Sequence, residues 1–240
     1  MESSCLNCEE KINGNYCENC GQSTSIHRFS LKHFFVHDFV HGIFHVDKGF
    51  LYTIKELFTR PGHSIREFIQ GKRAKHFNYF ATVLLILTID YFITKLLHLN
   101  DTYSEGLIGL SKFQKDFSKI VPFLGIPFYA LLSWWIFRAS KQNYTENLIL
   151  NIYMVCGWLV INMLYKICFN YFPEHMLFVN SAFVIITSVY IYIFYYQYFL
   201  PSQPTKSLLI VRTFVITISI LMIKSGVNYI LNTVGMEYLH

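Results

Sequence analysis

Four cysteines stand in two turns of equal length, Cys5-Leu-Asn-Cys8 and Cys17-Glu-Asn-Cys20. Each Cys-x-x-Cys turn can aim two thiolates at one point, and two such turns complete the closed tetrahedron of a structural metal site. The spacer between them is short, and Gly14 with Asn15 permits a tight hairpin return. Two other readings compete: a pair of disulfides, which needs an oxidising compartment, or four unconnected thiols. Zinc is the ion this donor set favours, with iron in the same four-thiolate cage as the other metal. Sulfur in all four positions leaves no place for water or substrate. The expected role is therefore structural, the ion folding a segment too small to hold a core of its own.

A second set of candidate ligands follows. His33, His37, His41 and His45 recur every fourth residue, the spacing of one helix face. The row drifts about 40° per step, so the four cannot all serve one ion, but His37 and His41 could hold a metal or handle a proton. Asp38 or Asp47 would be the carboxylate partner. The plainer reading is an imidazole stripe at the lipid headgroups. Asp90, Lys166 and Lys224 are charges within long apolar stretches, where an ionisable group is costly and points to function. From the inner helix ends Asp90 lies about 18 Å in and the lysines about 25 Å in, a difference that a lysine stem covers. Either Asp90 pairs with a lysine across helices, or the lysines snorkel outward and Asp90 hydrogen-bonds inside the bundle.

Those residues need elements to position them. Of 240 residues 53% are hydrophobic and 15% charged, where soluble domains run about 45–50% and about 25%. Mean hydropathy is +0.34, which excludes a disordered chain and a conventional enzyme in free solution. The net charge of +5 is too dispersed for a nucleic-acid partner. Five stretches are candidates to cross a bilayer: roughly 78–97, 119–137, 147–171, 177–200 and 207–231. Helices are expected for all five, since a chain in lipid must satisfy its own backbone. Gly125-Ile-Pro127 puts a kink in the second, either a hinge or a packing irregularity. Trp134, Trp135, Tyr192, Tyr195, Tyr196 and Tyr198 read as an aromatic belt.

Residues 1–28 carry Glu2, Glu9, Glu10, Lys11 and Glu18 and no apolar run, so no cleavable signal peptide is expected. Apolar periodicity across 29–77 predicts three short amphipathic helices. Pro61-Gly62 should end the second, and Ser64-Ile-Arg-Glu67 is a capping box for the third. Arg66, Lys72, Arg73 and Lys75 form a basic strip ahead of the first span. It favours a cytoplasmic N-terminus, and so an outer C-terminus after five spans. The strip is either a topogenic signal alone or a contact for anionic headgroups.

The ordered run of Cys5-x-x-Cys8, Cys17-x-x-Cys20-Gly21-Gln22, Asp47-Lys-Gly49-Phe50, Thr53, Leu57-Phe58-Thr59-Arg60-Pro61-Gly62, Ile65-Arg-Glu-Phe68-Ile69 and Gly71-Lys-Arg73 resembles a bacterial family. It is similar to the membrane proteins of domain-of-unknown-function family 3667, over about residues 5–90. The resemblance implies an N-terminal zinc ribbon, a juxtamembrane motif and several transmembrane helices, and it brings no established activity.

The expected fold is an all-α integral membrane protein with about five transmembrane helices. Its units are a zinc ribbon at 1–28, juxtamembrane amphipathic helices at 29–77 and a helical bundle at 78–240. The expected role, at a bacterial inner membrane, is to dock a protein partner or lipid through the cytoplasmic ribbon and interfacial helices. A transporter or permease-like subunit using Asp90 and the membrane lysines is the alternative, and a membrane-embedded enzyme on the His37 and His41 face is third. No nucleophile–base pair, phosphate loop or open metal site is recognisable.

Overall fold

The computed structural model describes residues 4–12, 14–31, 34, 49–99 and 121–237. Its helices are α1 (Gly49–Thr59), α2 (Pro61–Ile69), α3 (Tyr79–Leu96), α4 (Val121–Leu124), α5 (Ile126–Ile136), α6 (Tyr144–Tyr171), α7 (Met176–Phe199) and α8 (Lys206–Glu237). No strand occurs among the described residues, and two isolated bridges, Ser4 with Lys11 and Tyr16 with Ser23, close the cysteine turns. The first of the three predicted amphipathic helices lies outside the described residues, as do His33, His37, His41, His45, Asp38 and Asp47.

Among the described residues four helical segments are long and apolar enough to cross a membrane: Tyr79–Leu96, Tyr144–Tyr171, Pro173–Ser202 and Lys206–Val227. The second predicted span differs. Its described part is split at Gly125 into α4 and the 11-residue α5, and 11 residues reach about 16 Å, half a bilayer. The Tyr129 ring occupies the space that a side chain at Gly125 would need.

Two contacts set α3 beside α6. Tyr153 Oη donates to the Phe77 carbonyl, and Lys166 Nζ meets Asp90. Those contacts are thirteen residues apart on each chain segment, so α3 and α6 run parallel and in register. The chain between Leu97 and Asn143 therefore returns to the end from which α3 started. Tyr165 meets Asn180 and Tyr195 meets Asn151, so α7 is antiparallel to α6.

The first half of α6 is the centre of the core, buried on every side by α2, α3, α5, α7 and Phe29. Its start is a capping box in which Asn143 Oδ1 accepts from Glu146 N and Glu146 Oε2 accepts from Asn143 N. One turn and two turns on, Asn147 and Asn151 join Ser133 and Tyr195 in a hydrogen-bonded chain linking α5, α6 and α7. Tyr195 and Tyr198 are thus core residues, the second accepting from Gln142 at 2.6 Å, and they do not form the predicted belt. Trp135 does face outward, 65% exposed.

Helix α2 begins three residues before the predicted cap. Pro61 occupies its first position, where a proline's missing N–H costs nothing. Ser64 is therefore inside the helix, fully buried, and its hydroxyl meets His76 Nε2 at 2.8 Å instead of capping. Glu67 pairs with Arg60 at 3.5 Å. Gly62 lies on the backbone of α7: a Cβ there would stand 2.2 Å from the Phe194 carbonyl oxygen and 2.4 Å from Tyr198 N.

Candidate metal centre and intramembrane ion pair

The two cysteine turns fold alike. Cys5 N donates to Glu10 O and Glu9 N to Cys5 O, and Cys17 N donates to Gln22 O and Gly21 N to Cys17 O. The residue after each second cysteine is left-handed, Glu9 at φ 65° and Gly21 at φ 72°. Facing turns then bring Cys5 Sγ to 3.6 Å from Cys20 Sγ and Cys8 Sγ to 3.4 Å from Cys17 Sγ. All four sulfurs lie within 4.8 Å of one another and could hold a metal ion. A tetrahedron with metal–sulfur bonds near 2.3 Å has edges of about 3.8 Å, so the cage fits one. A disulfide needs about 2.05 Å, and all four are free thiols.

The backbone amide of Gln22 favours the Cys20 thiolate and lowers it to about 6. Although the Glu10 amide favours the Cys8 thiolate, desolvation and the three other thiols push Cys8 up to about 12. Sulfurs this close oppose each other's ionisation, and a dication at their centre reverses that opposition.

The four-cysteine unit sits on the loop between α2 and α3. Gln22 is buried, and its Oε1 accepts from Arg73 N at 2.8 Å and Ala74 N at 3.0 Å. Leu6 rests on Gly71, whose φ of 115° only glycine adopts readily. The Arg73 guanidinium stacks on Phe29 at 3.8 Å and donates to His27 O. Arg73 is thereby tied into the fold and is not a free member of the basic strip. Lys75 is exposed, while Lys72 and Arg66 are half-buried. Beyond the loop, Arg28 forms a two-point contact with Glu146, at 2.6 and 2.9 Å.

In the bundle the structure brings Asp90 and Lys166 together. Lys166 Nζ lies 2.9 Å from each Asp90 carboxylate oxygen, and the two side chains are 19% and 10% exposed. Lys224 is not part of that pair; its ammonium stands 4.2 Å from the centre of the Trp158 ring. Sequence reading gave no role of its own to Gln22, Ser133, Asn151 or Glu146. The Asn143-x-x-Glu146 cap and the four-residue spacing of Asn143, Asn147 and Asn151 were the signals available.

Residues 47–89 match the family described as Protein of unknown function (DUF3667). Over that segment the chain is similar to that family. No curated protein and no solved structure matches it. The DUF3667 match covers α1, α2 and α3 up to the residue before Asp90, and it begins after the cysteines. Its glycines and polar residues make close contacts: Gly49 against the Lys75 carbonyl, Thr53 Oγ1 accepting from Phe77 N at 2.8 Å, Gly62 against α7 and Gly71 under Leu6. In this chain the DUF3667 segment is the seat between the four-cysteine unit and the bundle.

Proposed function

We propose that the protein is a multi-pass inner-membrane docking protein whose N-terminal unit is a cytoplasmic ribbon closed by a structural zinc ion. Four thiolates in a closed cage favour zinc, with iron the lesser fit. The basic residues ahead of α3 favour a cytoplasmic N-terminus and an outer C-terminus. The observation that carries this reading is the way the ribbon is seated. Gln22 and Leu6 fix it to the α2–α3 loop, while Tyr16 and Glu18 are exposed. A rigid surface held at the membrane face suits a protein partner or the headgroup layer.

The test is purification of the full chain in mild detergent, with metal analysis and light scattering. One equivalent of zinc and a stoichiometric second polypeptide are expected. Tyr16→Ala should lose that polypeptide and keep the metal, whereas Cys17→Ser should lose both. A chain that carries no zinc or iron, or a partner that stays after Cys17→Ser, would overturn the reading.

The Asp90–Lys166 pair favours a second reading, a transporter or permease-like subunit, because paired charges inside a bundle mark ion or proton paths. Substrate uptake into proteoliposomes that disappears in Asp90→Asn would mark it. The third, a metal enzyme on His37 and His41, predicts a second metal equivalent lost in His37→Ala.

A further inference from the structure

A cavity of about 240 Å³ lies between α6, α7 and α8, on the membrane-spanning part of the bundle. Its walls divide by chemistry. Lys224, Asn162, Tyr165 and Asn180 line it with polar atoms, and Trp158, Phe183 and Leu221 with apolar ones. Asn180 and Val184 are exposed at its edge, on a face of α7 that also exposes Leu177, Phe178 and Ile185. A surface that apolar faces hydrocarbon, so the way in is from the lipid.

Lys224 is the unusual group. Asp90 is taken by Lys166, and among the described residues no carboxylate pairs with Lys224. The Trp158 face, at 4.2 Å, is its charge partner, and a ring supplies only part of what a desolvated ammonium loses on leaving water. An intramembrane cation without an acid is an energetic debt that a bound anion removes. Three ammonium N–H donors and the Asn162 amide stand ready to receive one. The volume is below the roughly 300–1,000 Å³ of sites that enclose a whole drug-sized ligand. It takes a headgroup and the start of a chain, while the remainder of the chain stays in the bilayer.

We infer that this cavity binds the anionic head of a membrane amphiphile, with Lys224 as its counter-charge. The shared chemistry is one carboxylate or phosphate on an acyl chain, supplied by a free fatty acid or by an anionic phospholipid.

Trp158 is the built-in reporter. Of the three tryptophans, Trp134 and Trp135 lie on α5 away from the cavity, and Trp134→Phe with Trp135→Phe leaves Trp158 as the sole indole. The full chain in neutral detergent is titrated with dibromostearate, with the corresponding brominated alcohol, and with brominated phosphatidylglycerol and phosphatidylcholine. Heavy-atom quenching of Trp158 reports occupancy. Dibromostearate should quench saturably, at a concentration at least tenfold below that needed for the alcohol. Lys224→Met should abolish that preference and Lys224→Arg should keep it. Val184→Phe, which narrows the mouth and leaves the cation in place, should weaken the acid at least tenfold. Quenching by phosphatidylglycerol and not by the fatty acid supports the site and identifies a lipid headgroup as its source. The reverse supports it with a free carboxylate. Equal quenching by acid and alcohol together with equal quenching by phosphatidylglycerol and phosphatidylcholine on the Lys224 chain overturns the proposal even if Lys224→Met fails to fold, and so does full acid binding in a folded Lys224→Met.

Discussion

Helix α6 is two different environments on one axis. In its first half, from Thr145 to Trp158, every side chain is buried. There Glu146, Asn147 and Asn151 spend their hydrogen-bonding capacity on Arg28, Ser133, Tyr195 and the backbone of α6 itself. The second half is thinly covered, and its polar groups face an ion pair and a cavity. Crowding decides what a polar group does. Where protein surrounds it, a polar residue fixes a helix in place, and where cover is sparse it stays open to ligand.

Substitutions at the two ends break or sharpen that contrast. Gly62→Leu should have the largest effect, because a side chain at that position meets the backbone of α7, and overpacking against backbone costs more than about 3 kcal/mol. Loss of the monodisperse peak in detergent chromatography is the expected readout. Asn151→Leu strands the Tyr195 hydroxyl and takes one partner from Ser133, a loss of about 2–3 kcal/mol for a buried group left unpaired. A melting curve in detergent measures it. In the open half Asp90→Asn should cost about 1–2 kcal/mol, less than removing a buried partner outright, because the amide keeps an oxygen for Lys166 to donate to. The double variant Asp90→Leu with Lys166→Met should recover most of that stability on the same melting curve. If it loses activity while folded, the pair serves function and not packing.

His76 adds a pH dependence confined to the crowded end. Burial holds its ring below the ordinary 6.5, against the pull of Glu56, the Lys72 backbone and Glu67, with Arg60 opposing protonation. The folded state prefers the neutral ring, so the stability from this group is present above pH 6.5 and is lost as the pH falls below it. His76→Gln should flatten the acid side of a melting-temperature profile. The smallest effect is expected for Arg28→Ala: its side chain is 61% exposed, and a pair open to solvent on one side contributes about 1 kcal/mol. A larger loss would mean that the four-cysteine unit is fastened to α6 mainly through this contact.

The cysteine cage was legible because ligand spacing is local: two residues between thiols dictate a turn whatever surrounds it. The long apolar segments were legible for the same reason. Which lysine meets Asp90 was not, because that depends on the register of α3 against α6, set by the distant contact of Tyr153 with Phe77. Pro61-Gly62 read as a helix stop and α1 does end just before it, but sequence did not show that proline also opens α2 or that glycine lets it touch α7, a partner more than a hundred residues away. Arg73 read as a surface charge because sequence shows its charge and not the Phe29 ring it covers.

Arg28 and Glu146 are 118 positions apart along the chain. A ribosome therefore completes the cysteine turns long before it makes the helix to which they are fastened. The four-cysteine piece must wait, tethered, while α3 and the segments after it are made, and it locks down when α6 arrives. Its fastening then doubles as a late checkpoint on assembly: a cysteine unit that has found its seat certifies that the helices beneath it have come together.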